Sequence, residues 1–438
     1  MVIEQAKASP TKAFFVEMLV KDINLDSAIL DLIDNCMDGA RGLRGDGPYN
    51  DLSVKIRVSP DEFVIEDNCG GIDVNVARNY AFRFGRDTAT KPLEKSLGVF
   101  GVGMKRAIFK IGQDVYIRST TKSHSFEIRL NIPDWQENDD PNSWFFPMTV
   151  NELASAPSDN ELGTLIKITS LCANVKTQFD LPYFGPQLRR VIGSRHERYI
   201  NQGVTIQVNG ATIPGTTVRF AHFGQELIPA YESAQLDGVS MALYAGVGEP
   251  KRLEAGWYIY CNGRMIVEHD QTELTGWGES VEKAIPRMHY QFARFRGCVY
   301  FDSEDSSKLP WNTTKDGIDV TTDVYRSAKS IMISHTRTVI DFLNKVDKEL
   351  DEPEDKRILT DILNRATYQS PLLVPKAPKF TYKAVPPKPP PEFVWVRIHV
   401  SKANIARLTK CLDAQTNKAA VEAIVEWYLE NECSDVEE

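Results

Sequence analysis

Hydrophobic and polar positions along the chain follow two different periods, which separate helical segments from strand-like ones. In residues 27–40 (SAILDLIDNCMDGA), apolar side chains cover much of a helical circumference. Asp31, Asn35 and Asp38 fall on one narrow stripe of this predicted helix, and Asp34 borders the stripe. The stripe is either a solvated helix face or a polar wall that holds a metal ion or a nucleotide. The segment alone leaves both interpretations open.

Two strand-like runs follow this helix. Residues 51–60 (DLSVKIRVSP) and residues 61–68 (DEFVIEDN) meet at a Ser-Pro-Asp turn, which predicts a hairpin. The second run reaches Asp67 and leads into the glycine pair Gly70 and Gly71. Glycines after an acidic strand end let a ligand approach the backbone while the carboxylate accepts a hydrogen bond from it. An ordinary turn capped by the aspartate side chain is the competing interpretation.

A basic stretch with several glycines spans residues 83–105 (RFGRDTATKPLEKSLGVFGVGMK). Its last part places Gly98, Gly101 and Gly103 before a predicted helix that carries Lys105. Such a loop offers backbone N–H groups, the positive end of a helix and a lysine charge to an anion. It does not follow a strand, as a dinucleotide-binding fold requires, and it lacks the GK[ST] ending of a P-loop. The pattern therefore disfavours both of those nucleotide-binding classes.

The remaining chain is predicted to form strands, one long helix and a separate C-terminal element. Residues 163–171 (GTLIKITSL) form a strand, and more strands alternate with loops between residues 204 and 304. A helical period predicts a long helix over residues 323–349. Residues 371–391 contain eight prolines, which predicts a semi-rigid spacer. Residues 393–438 then predict one strand and two helices.

Composition and charge narrow the possible classes of protein. The chain has 438 residues, 42% of them hydrophobic, which is typical of a globular protein with two or three domains. Its formal net charge of -9 disfavours a nucleic-acid coat protein. The seven cysteines are scattered and never spaced as CxxC, which predicts a reducing compartment and no zinc site. No signal-peptide pattern or membrane-length apolar run occurs, so we expect a cytoplasmic protein without membrane contact.

Four features occur in a specific order between residues 20 and 170: a helix with DxxxN, a strand ending in DNxGG, a GxxGxGxK loop and a late strand opening with GT. In this order they resemble the GHKL ATPase family, which includes gyrase B, MutL, the MORC proteins and the ninety-kilodalton heat-shock chaperones. The resemblance implies an α+β chain: a Bergerat-type ATPase domain with a mainly antiparallel sheet, an α/β transducer domain and a small strand-helix-helix element. The implied limits are 1–170 for the ATP-binding domain, 171–366 for the transducer-like domain, 367–392 for a proline-rich linker and 393–438 for the last element.

The resemblance also assigns ATP and Mg²⁺ to the site. Asn35 stands at the position of the metal-binding asparagine, and one amide oxygen with phosphate oxygens and waters suffices for Mg²⁺. Asp31 stands one turn earlier, where MutL and the chaperones carry a glutamate that activates water. Because aspartate is one methylene shorter, we expect slow hydrolysis, and loss of hydrolysis is the alternative.

The same resemblance gives roles to the strand end and to the loop. Asp67 is implied to accept the adenine amino group, Gly71 to leave room for the base and Thr164 to lie near the adenine. Cys69 departs from the family pattern, because many relatives carry glycine there. The residues implied to surround the triphosphate are Gly98, Gly101, Gly103 and Lys105, and the lysine would neutralise phosphate charge.

A loop lysine of the transducer domain reaches the terminal phosphate in such proteins. Lys315, in a polar turn before the long helix, is the leading candidate, and Lys308 is the second. Residues 260–266 (YCNGRMI) resemble a transducer strand with an exposed Asn-Gly-Arg turn. A lysine that contacts ATP and not ADP would let a second domain respond to the nucleotide.

The sequence therefore predicts a Mg²⁺-dependent ATPase that works as a nucleotide-gated switch or dimerisation clamp on an unknown protein or DNA client. The alternative is a non-hydrolysing ATP-binding scaffold whose C-terminal element binds a partner or DNA. A protein histidine kinase ranks last, because no convincing phosphoacceptor helix precedes the ATP domain. The C-terminal pattern resembles a ribbon-helix-helix module, although a small dimerisation element without DNA contact explains it equally well. We expect a homodimer that forms through ATP binding, through this element, or through both.

Overall fold

The computed structural model describes residues 10–84, 95–98, 101–138, 140, 143–158, 161–279, 285–383 and 398–432. The chain divides into two compact units, Met1–Val385 and Pro386–Glu438. The first unit contains two large sheets with their helices, and the described part of the second unit contains a helical pair. This mixture of helices and sheets confirms the predicted α+β class.

A mixed, mainly antiparallel sheet supports the first half of the chain. Its strands are β1 (Ser53–Val58), β2 (Phe63–Asp67), β3 (Gly112–Thr120), β4 (His124–Asn131), β5 (Met148–Glu152), β6 (Gly163–Leu171), β7 (Thr205–Val208) and β8 (Ala211–Thr212). They are hydrogen-bonded in the order β5-β4-β3-β6-β2-β1-β7-β8, and the β1–β7 pair is parallel while the other pairs are antiparallel. The strands β1 and β2 form the predicted hairpin, with Val58 opposite Phe63.

Helices pack on this sheet and contribute to its core. They are α1 (Lys12–Lys21), α2 (Leu25–Arg44), α3 (Val74–Val76), α4 (Gly103–Ile111), α5 (Ile132–Glu137), α6 (Ala173–Phe179), α7 (Phe184–Arg195) and α8 (Glu197–Asn201). The apolar side chains of α2 and α4 join those of the sheet strands in one continuous core. Burial of these side chains holds α2 against the sheet and so fixes its polar stripe in space.

The predicted boundary after residue 170 differs from the observed sheet. Strands β7 and β8 were expected to belong to the second domain, yet β7 pairs in parallel with β1 and so extends the first sheet. The chain between β1 and β7 contains strands β2 to β6 and helices α3 to α8, which is far more than the dozen or so residues that a parallel pair requires. Alternation of apolar residues predicts a strand but does not identify its partner, so the sequence alone does not show that β7 joins the first sheet.

The second sheet begins after β8. Short strands β9 (Phe220–His222) and β10 (Leu227–Ile228) precede β11 (Ala230–Leu236), β12 (Val239–Val247), β13 (Gly256–Cys261), β14 (Arg264–Asp270) and β15 (Phe295–Asp302). The last five form a sheet in the order β11-β12-β15-β13-β14. Helix α9 (Asp323–Glu349) has the predicted limits, and its buried Val339 and Leu343 pack in the core with this sheet. Helix α10 (Ile358–Arg365) follows.

The predicted linker 367–392 is wrong over its first part. Strand β16 (Thr367–Gln369) pairs with β9, and β17 (Thr381–Tyr382) pairs with β10. Phe380 is buried, and its ring contacts that of Phe342 on α9. These aromatic anchors between the prolines hold the segment in the first unit, and residues 384–392 lie outside the described residues.

The second unit contains α11 (Lys402–Cys411) and α12 (Asn417–Glu432). Both predicted helices are therefore present. Residues 394–397 of the predicted strand lie outside the described residues, and Ile398–Val400 have no regular structure. In the part of the chain that the structure describes, no helix combines the length and the apolar character that a membrane crossing demands.

Candidate nucleotide site

Helix α2 forms one wall of the candidate site. The side chain of Asn24 caps this helix by accepting the N–H of Ser27 at 2.7 Å. Most of the following side chains are buried, whereas Asn35 is exposed. Gly39 brings the helix close to the turn after β2, because a Cβ at this position would stand 2.6 Å from the carbonyl oxygen of Cys69. The helix and the turn thus enclose a narrow space that Asn35 borders.

A small cavity of about 50 Å³ occupies this space. Apolar side chains form most of its wall, and a few polar groups stand at fixed positions. The lining residues are Leu32, Asn35, Cys36, Gly39, Ile65, Asp67, Cys69, Gly71, Ile72, Thr164 and Ile166. Such a wall suits a ligand with a flat apolar body and a polar edge.

Asp67 provides the acidic group of the cavity. One carboxylate oxygen accepts the N–H of Cys69 at 2.7 Å, and the other accepts the thiol of Cys36 at 3.4 Å. Burial raises the pKa of Asp67 to about 6, although these hydrogen bonds oppose the rise. Burial also raises the pKa of the Cys36 thiol well above its ordinary value, so this group keeps its proton and acts as a donor. Near pH 7 the carboxylate is mostly ionised and accepts hydrogen bonds.

Two glycines allow the backbone to pass close to this carboxylate. Gly71 has a φ of 70°, and a Cβ on it would stand under 3.0 Å from the carbonyl oxygen of Thr120. Gly163, at the start of β6, has a φ of 141° and would bring a Cβ equally close to the carbonyl oxygen of Asp67. Thr164 follows Gly163, and its hydroxyl lies 2.9 Å from that of Ser119. The glycines therefore set the width of this end of the cavity.

Asp38 anchors the start of the glycine loop to α2. Its carboxylate accepts the hydroxyl of Ser96 at 2.7 Å and the N–H groups of Leu97 and Gly98 at 2.7 and 2.9 Å. The acid at the end of the polar stripe therefore organises the loop. Residues 99 and 100 of the loop lie outside the described residues.

The end of the glycine loop lies beside Asp31. Gly101 has a φ of 64°, and helix α4 begins two residues later at Gly103. A Cβ on Gly103 would stand 3.1 Å from the carboxylate carbon of Asp31. The N-terminus of α4, which is the positive end of its helix dipole, therefore lies next to the acid that the sequence predicts to activate water.

Asp31 itself forms two buried ion pairs. Its Oδ2 lies 2.6 Å from Nη2 of Arg106, and its Oδ1 lies 3.3 Å from Nζ of Lys315. The aspartate side chain is 1% exposed and that of Lys315 is 5% exposed. Lys315 comes from the turn before α9, so the predicted transducer lysine does reach the acidic stripe of α2. Lys308, the second candidate, instead donates to the carbonyl oxygen of Asp237.

Asp34 holds a second set of partners at the same place. It binds Nζ of Lys315 at 2.7 Å, Nε2 of His196 at 3.0 Å and the guanidinium of Arg264. Although burial alone would raise the pKa of Asp34, Arg264 and Lys315 lower it below the ordinary value. Burial lowers the pKa of His196, so its neutral ring donates the Nε2 proton to the carboxylate. Arg264 is 1% exposed, which corrects the expectation of an exposed Asn-Gly-Arg turn.

Residues 23–158 match the family model described as histidine kinase-, DNA gyrase B-, and HSP90-like ATPase. Residues 23–158 belong to the GHKL ATPase family. The match includes α2, the β1–β2 hairpin, the glycine loop and α4, which are the elements that carry the first three sequence features. No curated protein matches the chain. The match is to the family as a whole and does not distinguish the MutL, MORC and chaperone branches.

Membership of the GHKL family supports ATP binding by this segment of the chain. The match ends before β6 and therefore before Thr164, and it does not reach Lys315. Within the GHKL domain, Asn35, Asp67 and Gly71 line the same cavity. Thr164 lines it from β6.

Lys105 of the GHKL domain, which is predicted to neutralise phosphate charge, lies against backbone carbonyl groups. Its ammonium group donates to the carbonyl oxygens of Ala81 and Arg83 at 2.8 and 2.7 Å, and the residue is 2% exposed. It is not among the cavity-lining residues. The helical period of α4 turns this position toward the segment that precedes the glycine loop, so the neighbouring Arg106 is the residue that meets the acidic stripe.

Proposed function

We propose that the chain is a Mg²⁺-dependent ATPase that hydrolyses ATP slowly and works as a nucleotide-gated conformational switch. The observation that carries this proposal is the arrangement of two sets of groups around Asn35 of α2. The cavity with Asp67 lies on one side of Asn35, and the charged cluster around Asp31 and Lys315 begins one turn before it. A nucleotide whose adenine lies at Asp67 and whose phosphates extend past Asn35 toward Asp31 would contact both sets of groups.

Asp67 supports the choice of ATP over GTP. An ionised carboxylate only accepts hydrogen bonds, and adenine offers an exocyclic amino group where guanine carries a carbonyl oxygen. Gly71 and Thr164 border the same cavity and leave space for a flat ring. The apolar wall formed by Ile65, Ile72 and Ile166 would contact its faces.

Asn35 fits the role of a Mg²⁺ ligand. Its exposed amide side chain stands at the cavity edge, and Mg²⁺ accepts oxygen ligands while it retains several waters. When bound, Mg²⁺ would neutralise phosphate charge. The chain itself contributes Asp31 as the group that orients and deprotonates water, and Lys315 as a cation for the terminal phosphate.

The proposal of a nucleotide-gated switch depends on where Lys315 lies in the chain. This lysine lies outside residues 23–158, in the turn that precedes the long helix α9. ATP offers it a terminal phosphate and ADP does not, so ATP alone gains this contact. A contact made in one nucleotide state can shift a conformational equilibrium by the free energy of that contact.

Replacement of Asn35 by alanine tests the proposed metal role. We expect the affinity of the wild-type chain for a non-hydrolysable ATP analogue to fall on removal of Mg²⁺, measured by calorimetric titration with and without a chelator. In Asn35→Ala the Mg²⁺-dependent gain should disappear, a loss of at least about ten-fold. Asn151→Ala, at an exposed position on β5, is the matched control and should behave as wild type. A full Mg²⁺ effect in Asn35→Ala would contradict the assignment.

A non-hydrolysing ATP-binding scaffold is the second candidate, and one observation favours it. Both carboxylate oxygens of Asp31 are bound to cations, Arg106 on one and Lys315 on the other. A general base needs a carboxylate oxygen within hydrogen-bond reach of the attacking water, and both oxygens of Asp31 already bind a cation. The two candidates share the ATP site and differ in turnover, which the variant of Asp31 considered in the Discussion separates.

The C-terminal helices support the proposal of a homodimer. Val425, Trp427, Tyr428 and Leu429 of α12 are 52–58% exposed, which leaves a large apolar surface without cover in the described unit. Helix α11 carries basic side chains (Lys402, Arg407 and Lys410), and α12 carries acidic ones (Glu422, Glu426 and Glu430). A second copy could place each basic helix against an acidic helix, as a two-fold interface requires.

Scattering measurements of molar mass on the full chain test this dimer. We expect a dimer mass without nucleotide for the wild type and a monomer mass for Leu429→Glu, because a buried charge would disrupt the apolar contact. Gln415→Glu, in the exposed turn between the helices, is the control and should stay dimeric. In the monomeric variant, a return to dimer mass with an ATP analogue would report pairing of the ATPase domains. A monomeric wild type would contradict the proposal for α12.

A further inference from the structure

Asp34 is a buried acid that the proposed chemistry does not use. It precedes Asn35 in α2, but it is 0% exposed and is not among the residues that line the cavity. The three side chains that bind it, His196, Arg264 and Lys315, all come from outside residues 23–158. Consecutive positions of one helix therefore serve two purposes, because Asn35 borders the cavity while Asp34 binds the part of the chain that follows the family match.

The contact between Asp34 and Lys315 determines where the lysine ammonium lies. Nζ stands 2.7 Å from Asp34 and 3.3 Å from Asp31, so the shorter bond is to Asp34. The backbone of Lys315 is also constrained, since its φ is 54° and its N–H donates to the carbonyl oxygen of Asn312 at 3.0 Å. An ammonium group has three donors, and the two carboxylates use two of them. The third donor is the one that a phosphate oxygen can accept from.

The charge balance of the cluster favours an additional anion. Two carboxylates, those of Asp31 and Asp34, are bound by three cations, Arg106, Arg264 and Lys315. Among these five side chains alone, the cations exceed the carboxylates by one. An incoming phosphate oxygen can therefore bind Lys315 without displacing Asp34, and loss of Asp34 would leave the cations further from balance.

We infer that Asp34 is a positioning residue that holds Lys315 ready for the terminal phosphate of ATP. This inference rests on the proposed function, because it assumes that Lys315 binds that phosphate. Asp34 acts through Lys315 and contacts no nucleotide atom. It also ties Lys315 to Arg264 and His196, so the segment after the family match is held to α2 at the point where the nucleotide state is read.

A double-mutant cycle on nucleotide preference tests the inference. The measured quantity is the affinity for a non-hydrolysable ATP analogue divided by the affinity for ADP, both with Mg²⁺. Lys315→Met should lower this ratio at least about ten-fold, the value of one hydrogen bond to a charged group. Asp34→Asn should lower it by a similar factor, because Lys315 is then no longer held in place. In the Lys315→Met background, Asp34→Asn should have no further effect on the ratio.

A purely structural role for Asp34 gives a different pattern. It would weaken ADP and the analogue together, which leaves the ratio unchanged, and its effect would persist without Lys315. Either result overturns the inference. Asp341→Asn, which alters an exposed acid on α9, is the matched control and should leave both affinities unchanged.

A charge-balanced variant keeps the experiment decisive if Asp34→Asn does not fold. The double variant Asp34→Asn with Arg264→Gln removes one buried charge of each sign and should fold better than the single variant. It should show the same drop in the ratio, and an unchanged ratio in this variant also overturns the inference. Failure of the proposed function looks different, since the wild type would then not bind the analogue. If Lys315→Met leaves the ratio unchanged, both the role of Lys315 and that of Asp34 are refuted while the ATP site stands.

Discussion

Asp31→Asn is expected to reduce ATP turnover by about 10²- to 10⁴-fold, which is the usual contribution of a positioned general base. The N-terminus of α4 opens beside Asp31, and Lys315 lies 3.3 Å from its carboxylate. An asparagine can still accept the hydrogen bond from Arg106, so binding of an ATP analogue should change only a few-fold. The measurement is single-turnover phosphate release, in which the enzyme concentration exceeds that of ATP.

Two further variants serve as controls for the turnover measured with Asp31→Asn. Glu66→Gln changes an exposed acid on the adjacent strand β2 and should turn over ATP like the wild type. Asn35→Ala gives the background of a chain that is deficient in Mg²⁺-dependent binding. If Asp31→Asn binds the analogue and releases phosphate as fast as the wild type, Asp31 is not the base, and the non-hydrolysing scaffold becomes the better account of the chain.

Gly71→Ala is expected to abolish ATP binding and to lower the free energy of unfolding by at least about 2 kcal/mol. The φ of 70° at Gly71 is unfavourable for alanine, and its Cβ would stand under 3.0 Å from the carbonyl oxygen of Thr120. Relief of this overlap must separate the turn after β2 from the end of β3. Because Gly71 lines the cavity, that movement changes the end of the cavity that is proposed to hold adenine. Chemical denaturation and analogue titration measure the two effects.

Gly42→Ala is the matched control for this substitution. Gly42 lies within α2, and a Cβ there would have no neighbour within 4 Å. Alanine at an open helical position should raise stability by roughly 0.5–1 kcal/mol and leave ATP binding unchanged. If Gly71→Ala behaved like Gly42→Ala, the close approach of the turn to β3 would not be needed for the site.

Local pattern was sufficient to predict the elements that carry the cavity. The helical period of residues 27–40 and the glycines after Asp67 correspond to α2 and to the turn after β2. The order of the motifs then identified the family, which the match over residues 23–158 confirms. Within this segment, the lining side chains of α2 and β2 lie on elements whose periodicity is strong, so their placement could be predicted.

Contacts between distant segments could not be predicted in the same way. The sequence gives no sign that β7 pairs with β1, or that Arg264 and His196 bind Asp34, because these contacts join residues that are far apart in the chain. Arg106 was missed in favour of Lys105 because a lysine after a glycine loop matches a phosphate-binding pattern, whereas the helical phase of α4 turns the arginine to the acids. The helical phase of α4 was therefore the sequence signal that could have identified Arg106.

Calorimetric titration of the unmodified chain with an ATP analogue and with a GTP analogue, both in Mg²⁺, tests the central claim most directly. The account predicts binding of the ATP analogue at one site per chain. It predicts at least about 100-fold weaker binding of the GTP analogue, because the guanine carbonyl would place an acceptor against the Asp67 carboxylate. Absence of binding, or equal affinity for the two analogues, would contradict the assignment of this cavity as an adenine nucleotide site.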